Sequence, residues 1–128
     1  MTLSPELLRE WSLPRLDGDK HARGTVVIAG ACRQTPGAVL LAAEAALRLG
    51  AGKVQIATTA STAALVAVAL PEGYVEALPE SRGGDLLPSC AGRILDLVAD
   101  ADAVLMGPGI SDPLASSFLL GEVVPHVD

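Results

Sequence analysis

Two short loops rich in glycine and proline are the first candidates for chemistry in this sequence. They read Pro36-Gly37-Ala38 and Gly107-Pro108-Gly109. Residues without large side chains let a ring, a ribose or a phosphate approach the main chain closely. Each loop also has a plain structural interpretation, the first as a helix start and the second as a strand-ending turn. Together they make a small-molecule site the first function to consider.

Other polar residues near these loops have two interpretations each. Arg33 could bind a phosphate, but a solvated loop arginine is the better interpretation. Asp112 could be a catalytic carboxylate, but its position before Pro113 favours a helix cap. No zinc-type spacing connects the cysteines and histidines, which are Cys32, Cys90, His21 and His126. We therefore expect no metal site and assign no catalytic residue.

Length and composition exclude several classes of protein. The 128 residues suit one domain, and a formal net charge of -6 leaves no basic stripe for nucleic acid. No apolar run approaches the roughly 20 residues of a membrane-spanning helix. No secretory signal follows Met1, and the two cysteines are far apart. We expect a cytoplasmic protein with reduced thiols, without a nucleic-acid or membrane partner.

Strands and helices are predicted to alternate along the chain. Apolar and β-branched runs predict strands at residues 25–29, 53–57, 74–78 and 103–106. Helices are predicted to begin at residues 36, 61 and 113, and another follows the cap Ser89. The helix over residues 61–70 is apolar on all sides, and its alanine content with Pro71 as a stop favours a buried helix. This alternation is typical of an α/β fold with a mostly parallel sheet. Residues 1–24 form a lead-in with a short helix beginning at Ser4 and Pro5, and residues 25–128 form the α/β domain.

Local signals mark the ends of these helices. Thr35 and Ser89 are predicted to be N-caps, as is Asp112, and Gly50 is predicted to end the first long helix in a left-handed conformation. In that helix the spacing of Glu44 and Arg48 indicates the solvent face. The packing face of the same helix then consists of Leu40, Ala43 and Leu47.

The loops at one edge of the predicted sheet should meet. The carboxyl ends of parallel strands lie along one rim, so we expect residues 30–38, 58–59 and 107–112 to surround a crevice. The helices beginning at Pro36 and Pro113 would point backbone N–H groups and a positive dipole end at it. That environment suits an anionic ligand.

Several segments, in this order along the chain, resemble the ribokinase-like dehydratases that repair hydrated NAD(P)H. The matching residues are Lys20 and Gly24, Pro36-Gly37-Ala38, Ala45-Ala46-Leu47-Arg48 with Gly50-Ala51-Gly52, Leu70-Pro71-Glu72, and Ala103 through Gly109. Two positions depart from the family pattern. Gly30-Ala31 stands where the family usually has Gly-Gly, and His21 stands where a glycine often follows the lysine.

The resemblance implies a three-layer α/β/α ribokinase-like fold, incomplete in this chain, and a carbon–oxygen lyase activity. ADP or ATP would phosphorylate the hydroxyl of the hydrated nicotinamide ring, and elimination would restore NADH or NADPH. Ala38 and Gly109 would contact the hydrate, with Gly37 and Gly107 shaping the loops. The resemblance also implies a homo-oligomer, and Mg²⁺ could accompany the nucleotide.

In the family, further motifs carry the chemical step. They are a Gly-rich motif with a catalytic aspartate, a Lys-Gly nucleotide-binding segment and a substrate-contacting histidine. No residue here matches them, and His126 does not lie in that histidine's context. This chain is therefore expected to supply only part of the pocket for the hydrate.

Two alternatives remain open at this point. A kinase for a small hydroxylated substrate, such as a sugar or a vitamin alcohol, would share the fold. A non-catalytic fragment would bind ligand weakly or assemble with itself, because an unpaired sheet edge and uncovered helix faces favour association.

Overall fold

The computed structural model describes residues 4–10, 18–20 and 22–127. The strands are β1 (Thr25–Ala29), β2 (Lys53–Thr59), β3 (Tyr74–Leu78) and β4 (Ala103–Met106). The helices are α1 (Pro5–Glu10), α2 (Gly37–Arg48), α3 (Ala60–Ala69), α4 (Ala91–Val98) and α5 (Pro113–Val123), with 3₁₀ turns at Pro88–Cys90 and Val124–His126. His21 lies outside the described residues.

The four strands form one parallel sheet in the order β3-β2-β1-β4. The chain first winds outward from β1 to β3 and then crosses to the other side of β1. The topological switch point therefore lies between β1 and β4, where open α/β sheets bind their ligands. The predicted parallel α/β fold is confirmed.

Alternating side chains of β1 divide the core into two clusters. Val27 and Ala29 pack with residues of α4 and α5, whereas Ile28 packs with residues of α2 and α3. All three side chains are fully buried, as expected of a strand covered on both faces. The molecule thus has the three predicted layers, with α2 and α5 on opposite faces of the sheet.

Helix α2 has the predicted packing face and the predicted end. Ala43 is buried, and Leu40 and Leu47 pack against the same cluster. Gly50 has φ +105°, and its N–H donates to the carbonyl of Leu47 at 3.0 Å. Ala51 donates in the same way to Ala46 at 3.0 Å. This is the Schellman arrangement, which uses the conformational freedom of glycine to end a helix. Glu44 and Arg48 form an exposed ion pair, which confirms the predicted solvent face.

The prediction that α3 is a buried helix is wrong. Its buried residues are Thr62, Ala63 and Val66, whereas Leu65 is 64% exposed and Val68 is 83% exposed. Because the helix is apolar on all sides, its sequence carries no signal for the face that meets the sheet.

Helix α4 begins differently from the prediction. A 3₁₀ turn over Pro88–Cys90 leads into it, and no side chain caps its N-terminus, so Ser89 is not the cap. The predicted apolar stripe is confirmed, because Ile94 and Val98 are buried and Leu97 packs against them. Within the described ranges, no helix is long and apolar enough to cross a membrane.

Candidate functional site

The loops that follow β1 and β4 are joined by main-chain hydrogen bonds at the switch point. Ala31 N–H donates to the carbonyl of Pro108 at 2.6 Å, and Gly107 N–H donates to the carbonyl of Ala29 at 3.0 Å. Two of the three segments expected to meet therefore do so, and they meet through backbone groups rather than through long side chains.

Gly30 allows this close approach. A Cβ atom at Gly30 would lie 2.3 Å from the Pro108 carbonyl oxygen, far inside van der Waals contact. Because that oxygen belongs to the main chain, a methyl group could be accommodated only if the whole loop moved. The two loops can therefore pack this closely only because residue 30 is a glycine.

The predicted substrate-contacting residues lie side by side. A Cβ atom at Gly109 would be 2.8 Å from the Cβ of Ala38, and Gly109 has φ +74°. By contrast, a Cβ at Gly37 or Gly107 would meet no atom within 4 Å. Ala38 and Gly109 therefore form a contact between the loops, and the two flanking glycines border open space.

Thr35 does not cap α2, contrary to the prediction. The helix has no side-chain cap, and the Thr35 hydroxyl donates to the carbonyl of Gly109 at 3.0 Å. The same hydroxyl lies 3.2 Å from Sγ of Cys32. Thr35 thus connects the two loops, and the N-terminus of α2 is left without a side-chain acceptor beside Ala38.

Asp112 is the predicted cap of α5. Its Oδ1 accepts hydrogen bonds from the N–H groups of Leu114 at 2.9 Å and Ala115 at 3.3 Å. These N–H groups are therefore already satisfied by a carboxylate. The expectation that α5 directs these N–H groups at a ligand is therefore wrong.

Thr58 and Thr59 do not line the crevice as expected. Both side chains are fully buried, and their hydroxyls lie 2.8 and 3.0 Å from the hydroxyl of Thr62 on α3. They belong to the packing between β2 and α3, because one internal partner satisfies both hydroxyl groups.

A segment that sequence reasoning treated only as turn-rich contacts the site instead. Residues 79–87 connect β3 to the 3₁₀ turn before α4, and we call them the clamp loop. Glu80 forms an ion pair with Arg33 at 2.6 Å, and Oδ1 of Asp85 accepts hydrogen bonds from the hydroxyl and N–H of Ser111. The Arg33 side chain remains 50% exposed, as expected of a solvated loop arginine, and its guanidinium is paired with this carboxylate.

Both clamp-loop carboxyls are held in their charged form. The hydrogen bond from Arg33, followed by those from Ser61, lowers the pKa of Glu80 to about 2. The hydrogen bond from the Ser111 hydroxyl lowers the pKa of Asp85, although partial burial opposes it. The sequence gives little indication that Glu80 and Asp85 bind neighbouring loops. Each stands at one end of a turn, where acidic residues are common in any protein.

The two cysteines are free thiols in different surroundings. Burial raises the pKa of Cys90. At Cys32 burial acts in the same direction, but hydrogen bonding with Thr35, Gln34 and Ser111 outweighs it and lowers the pKa. The pKa values of the two thiols shift in opposite directions because Cys32 lies among hydrogen-bonding groups where the loops after β1 and β4 meet.

Ala31 occupies a backbone conformation that favours glycine. It has φ +66° and a fully buried methyl group, at the position where the resembling family usually has a second glycine. The left-handed conformation costs an alanine roughly 1 kcal/mol or more. We expect Ala31→Gly to change the free energy of unfolding by only about 0.5 kcal/mol, because relief of strain offsets the lost methyl contacts.

A matched control is Ala29→Gly, which removes an equally buried methyl group from an ordinary strand conformation. We expect it to cost about 1.5 kcal/mol, from lost burial and the flexibility of glycine. Urea denaturation of both variants measures the difference. Equal losses in the two variants would contradict strain at Ala31.

Two cavities formed by described residues lie away from these loops. One of about 630 Å³ lies between α2 and the end of α3 and is lined by residues that include Leu40, Arg48 and Glu72. Another cavity, of about 400 Å³, lies beside β4 and α5, and all the residues that line it are apolar. Neither includes the Ala38–Gly109 contact, which borders an open surface in this chain.

Solved structures share this architecture. A ribokinase-like superfamily protein from Enterococcus faecalis V583 superposes with a TM-score of 0.73 at 26% identity, over 98% of this chain and 41% of that one. The ADP/ATP-dependent NAD(P)H-hydrate dehydratase from Bacillus subtilis, co-crystallised with ATP/Mg²⁺, has the same fold, with a TM-score of 0.70 at 24% identity, over 95% of this chain and 41% of that one. The parallel sheet and its switch-point loops therefore define a ribokinase-like α/β protein.

Sequence comparison identifies the family within that class. A model of the NAD(P)H-hydrate dehydratase family matches residues 25–125. The ADP-dependent (S)-NAD(P)H-hydrate dehydratase of Xanthomonas campestris pv. campestris is 42% identical over 124 residues, which cover 96% of this chain. This chain belongs to the NAD(P)H-hydrate dehydratase family. It spans 42% of the length of the Xanthomonas protein.

Proposed function

We propose that the protein carrying this chain converts hydrated NADH or NADPH back to the reduced cofactor in a nucleotide-dependent reaction. This chain would supply part of the pocket for the hydrate. The observation that carries the proposal is the family match over residues 25–125, combined with the switch-point loops that contain Ala38 and Gly109. We refer to these loops as the substrate site.

The chemistry of the loops suits a flat ring and its ribose. Ala38 presents only a methyl group and Gly109 only main chain, so a ring can approach backbone donors and acceptors directly. Open space beside Gly37 and Gly107 leaves room for the ligand. The N-terminus of α2 has no side-chain cap, although the Ala38 N–H already donates to the carbonyl of Thr35 at 3.2 Å. Its positive dipole end would attract an oxygen or phosphate of the hydrate.

The nucleotide would act as phosphoryl donor. We propose ADP or ATP in this role, since the Xanthomonas relative is named ADP-dependent and the Bacillus protein was crystallised with ATP/Mg²⁺. Among the described residues, no three carboxylates, histidines or cysteines lie together as metal ligands. We therefore propose that Mg²⁺, which was present with ATP in the Bacillus crystals, is held in the intact protein mainly by the phosphates of the nucleotide, and that this chain binds and orients the hydrate.

The kinase alternative is not favoured. The family model is described as that of an NAD(P)H-hydrate dehydratase, and the Xanthomonas relative carries the name of such an enzyme. We also propose that the protein is cytoplasmic, from its two free and widely separated cysteines, and that it forms a homo-oligomer, from the family resemblance alone.

The direct test is an assay of the intact protein with hydrated NADH and either ADP or ATP. Recovery of the reduced nicotinamide absorbance only when nucleotide is present would support the proposal. Nucleotide consumption with a sugar or vitamin alcohol, without recovery of NADH, would refute it in favour of a kinase.

A further inference from the structure

The clamp loop contacts all the other loops at the carboxyl edge of the sheet. Through Glu80 it binds both the N–H and the hydroxyl of Ser61, at the start of α3, at 3.0 and 2.7 Å. The other carboxylate oxygen of Glu80 binds the Arg33 guanidinium, which belongs to the loop after β1. The carboxylate of Asp85 binds the loop after β4 at Ser111 and Asp112.

Main-chain contacts reinforce the attachment to the first loop. Arg33 N–H donates to the carbonyl of Gly84 at 2.9 Å, and the Gln34 side chain donates to the carbonyl of Gly83 at 3.3 Å. A Cβ at Gly84 would lie 2.5 Å from the Cβ of Arg33, so the two chains are packed closely. The clamp loop therefore holds the segment that leads to Ala38.

The clamp loop is itself rigidly built. Ser81 and Asp85 exchange hydrogen bonds through Ser81 N–H and Asp85 N–H at 2.9 and 3.2 Å. Glu80 and Leu86 form an antiparallel bridge, and Leu86 is buried in the core. A loop anchored in this way can fix the position of its neighbours, because its own conformation is set by internal contacts.

Asp85 has the most direct connection to the substrate site. Its Oδ1 accepts three hydrogen bonds, from Ser111 N–H at 2.9 Å, Ser111 Oγ at 2.7 Å and Asp112 N–H at 3.2 Å. Ser111 is two residues from Gly109, and the turn between Gly107 and Ile110 is closed by one hydrogen bond of 3.0 Å. A charged acceptor at this point restrains the turn more strongly than a neutral one.

We propose that the clamp loop positions the substrate site, with Asp85 as the positioning residue that holds the Gly107–Gly109 turn against Ala38. This inference rests on the proposed function, because it takes the turn as the place where hydrate binds. Asp85 does not touch the ligand in this proposal; it acts through Ser111 and Asp112.

The test compares Asp85→Ala with Glu76→Gln in the intact protein. Glu76 is a matched control, since it is also a partly buried carboxylate, hydrogen-bonded to Tyr74 and Arg93 away from the substrate site. We expect Asp85→Ala to speed hydrogen exchange at residues 107–112 about tenfold and to raise KM for hydrated NADH by a similar factor, with kcat nearly unchanged. Glu76→Gln should leave both readouts at the wild-type value.

Asp85→Asn keeps an acceptor oxygen but loses the charge, so its exchange rate and its KM should lie between those of the wild type and Asp85→Ala. This variant replaces Asp85→Ala in the test if the alanine variant does not fold. Unchanged exchange at residues 107–112 would overturn the proposal. So would faster exchange with an unchanged KM, because the turn would then not position substrate. Failure of the wild-type protein to convert hydrated NADH would refute the proposed function, and exchange would still decide whether Asp85 holds the turn.

Discussion

Gly30→Ala is expected to lower the free energy of unfolding by about 3 kcal/mol, the largest stability effect we predict at the site. The added methyl group would meet the Pro108 carbonyl oxygen at 2.3 Å and force the loop after β4 away from β1. Overpacking costs about 1–3 kcal/mol, and loss of the hydrogen bond from Ala31 to Pro108 adds to it. Urea denaturation monitored by circular dichroism measures the change.

Gly92→Ala in α4 is the control for this experiment. A Cβ at Gly92 would meet no atom within 4 Å, and the residue is helical, so this variant should keep or slightly raise stability. If Gly30→Ala proved as stable as Gly92→Ala, the close junction of the two loops would not exist in solution.

Gly37→Ala is expected to raise KM for hydrated NADH by about tenfold or more without loss of stability. The residue begins α2, and its Cβ would project into open space, so the fold can accept the methyl group. If the hydrate occupies that space, one extra methyl group costs binding energy through overlap, at about 1–3 kcal/mol. Steady-state kinetics and thermal unfolding of the same preparation separate the two effects.

Gly121→Ala in α5 provides the comparison, since it also adds a methyl group to a helix in open space but lies far along α5 from the substrate site. It should change neither KM nor kcat. A Gly37→Ala variant with the KM of Gly121→Ala would show that the hydrate does not approach the start of α2.

Much of the fold follows from local patterns. The bounds of β1 match the predicted run because consecutive β-branched residues in a strand covered on both faces give a continuous apolar signal. The bounds of β3 also match the prediction, although this edge strand is only partly buried. Gly50 and Asp112 were predicted correctly because their functions depend only on neighbouring residues.

Tertiary partners explain the features that sequence reasoning missed. Thr35 has the side chain and position of an N-cap, but Gly109, 74 residues away, takes its hydroxyl. The exposed face of α3 could not be read from a helix that is apolar all round. A local sequence pattern does not show which distant residue will compete for a side chain such as that of Thr35.

The candidate site also combines features that the sequence predicts with features that it does not. Parallel-strand geometry predicts that the loops bearing Ala38 and Gly109 meet, and they do. The clamp loop was missed because Glu80 and Asp85 stand in a turn-rich segment where acidic residues are common. Their partners become apparent only when the loops are brought together in space.

A crystal structure of the intact protein with hydrated NADPH bound tests the central claim most directly. We predict that the hydrated ring or its ribose lies within van der Waals contact, about 4 Å, of both the Ala38 methyl group and the Gly109 main chain. A hydrate bound instead in the cavity beside Arg48 and Glu72, with the switch-point loops free of ligand, would contradict it.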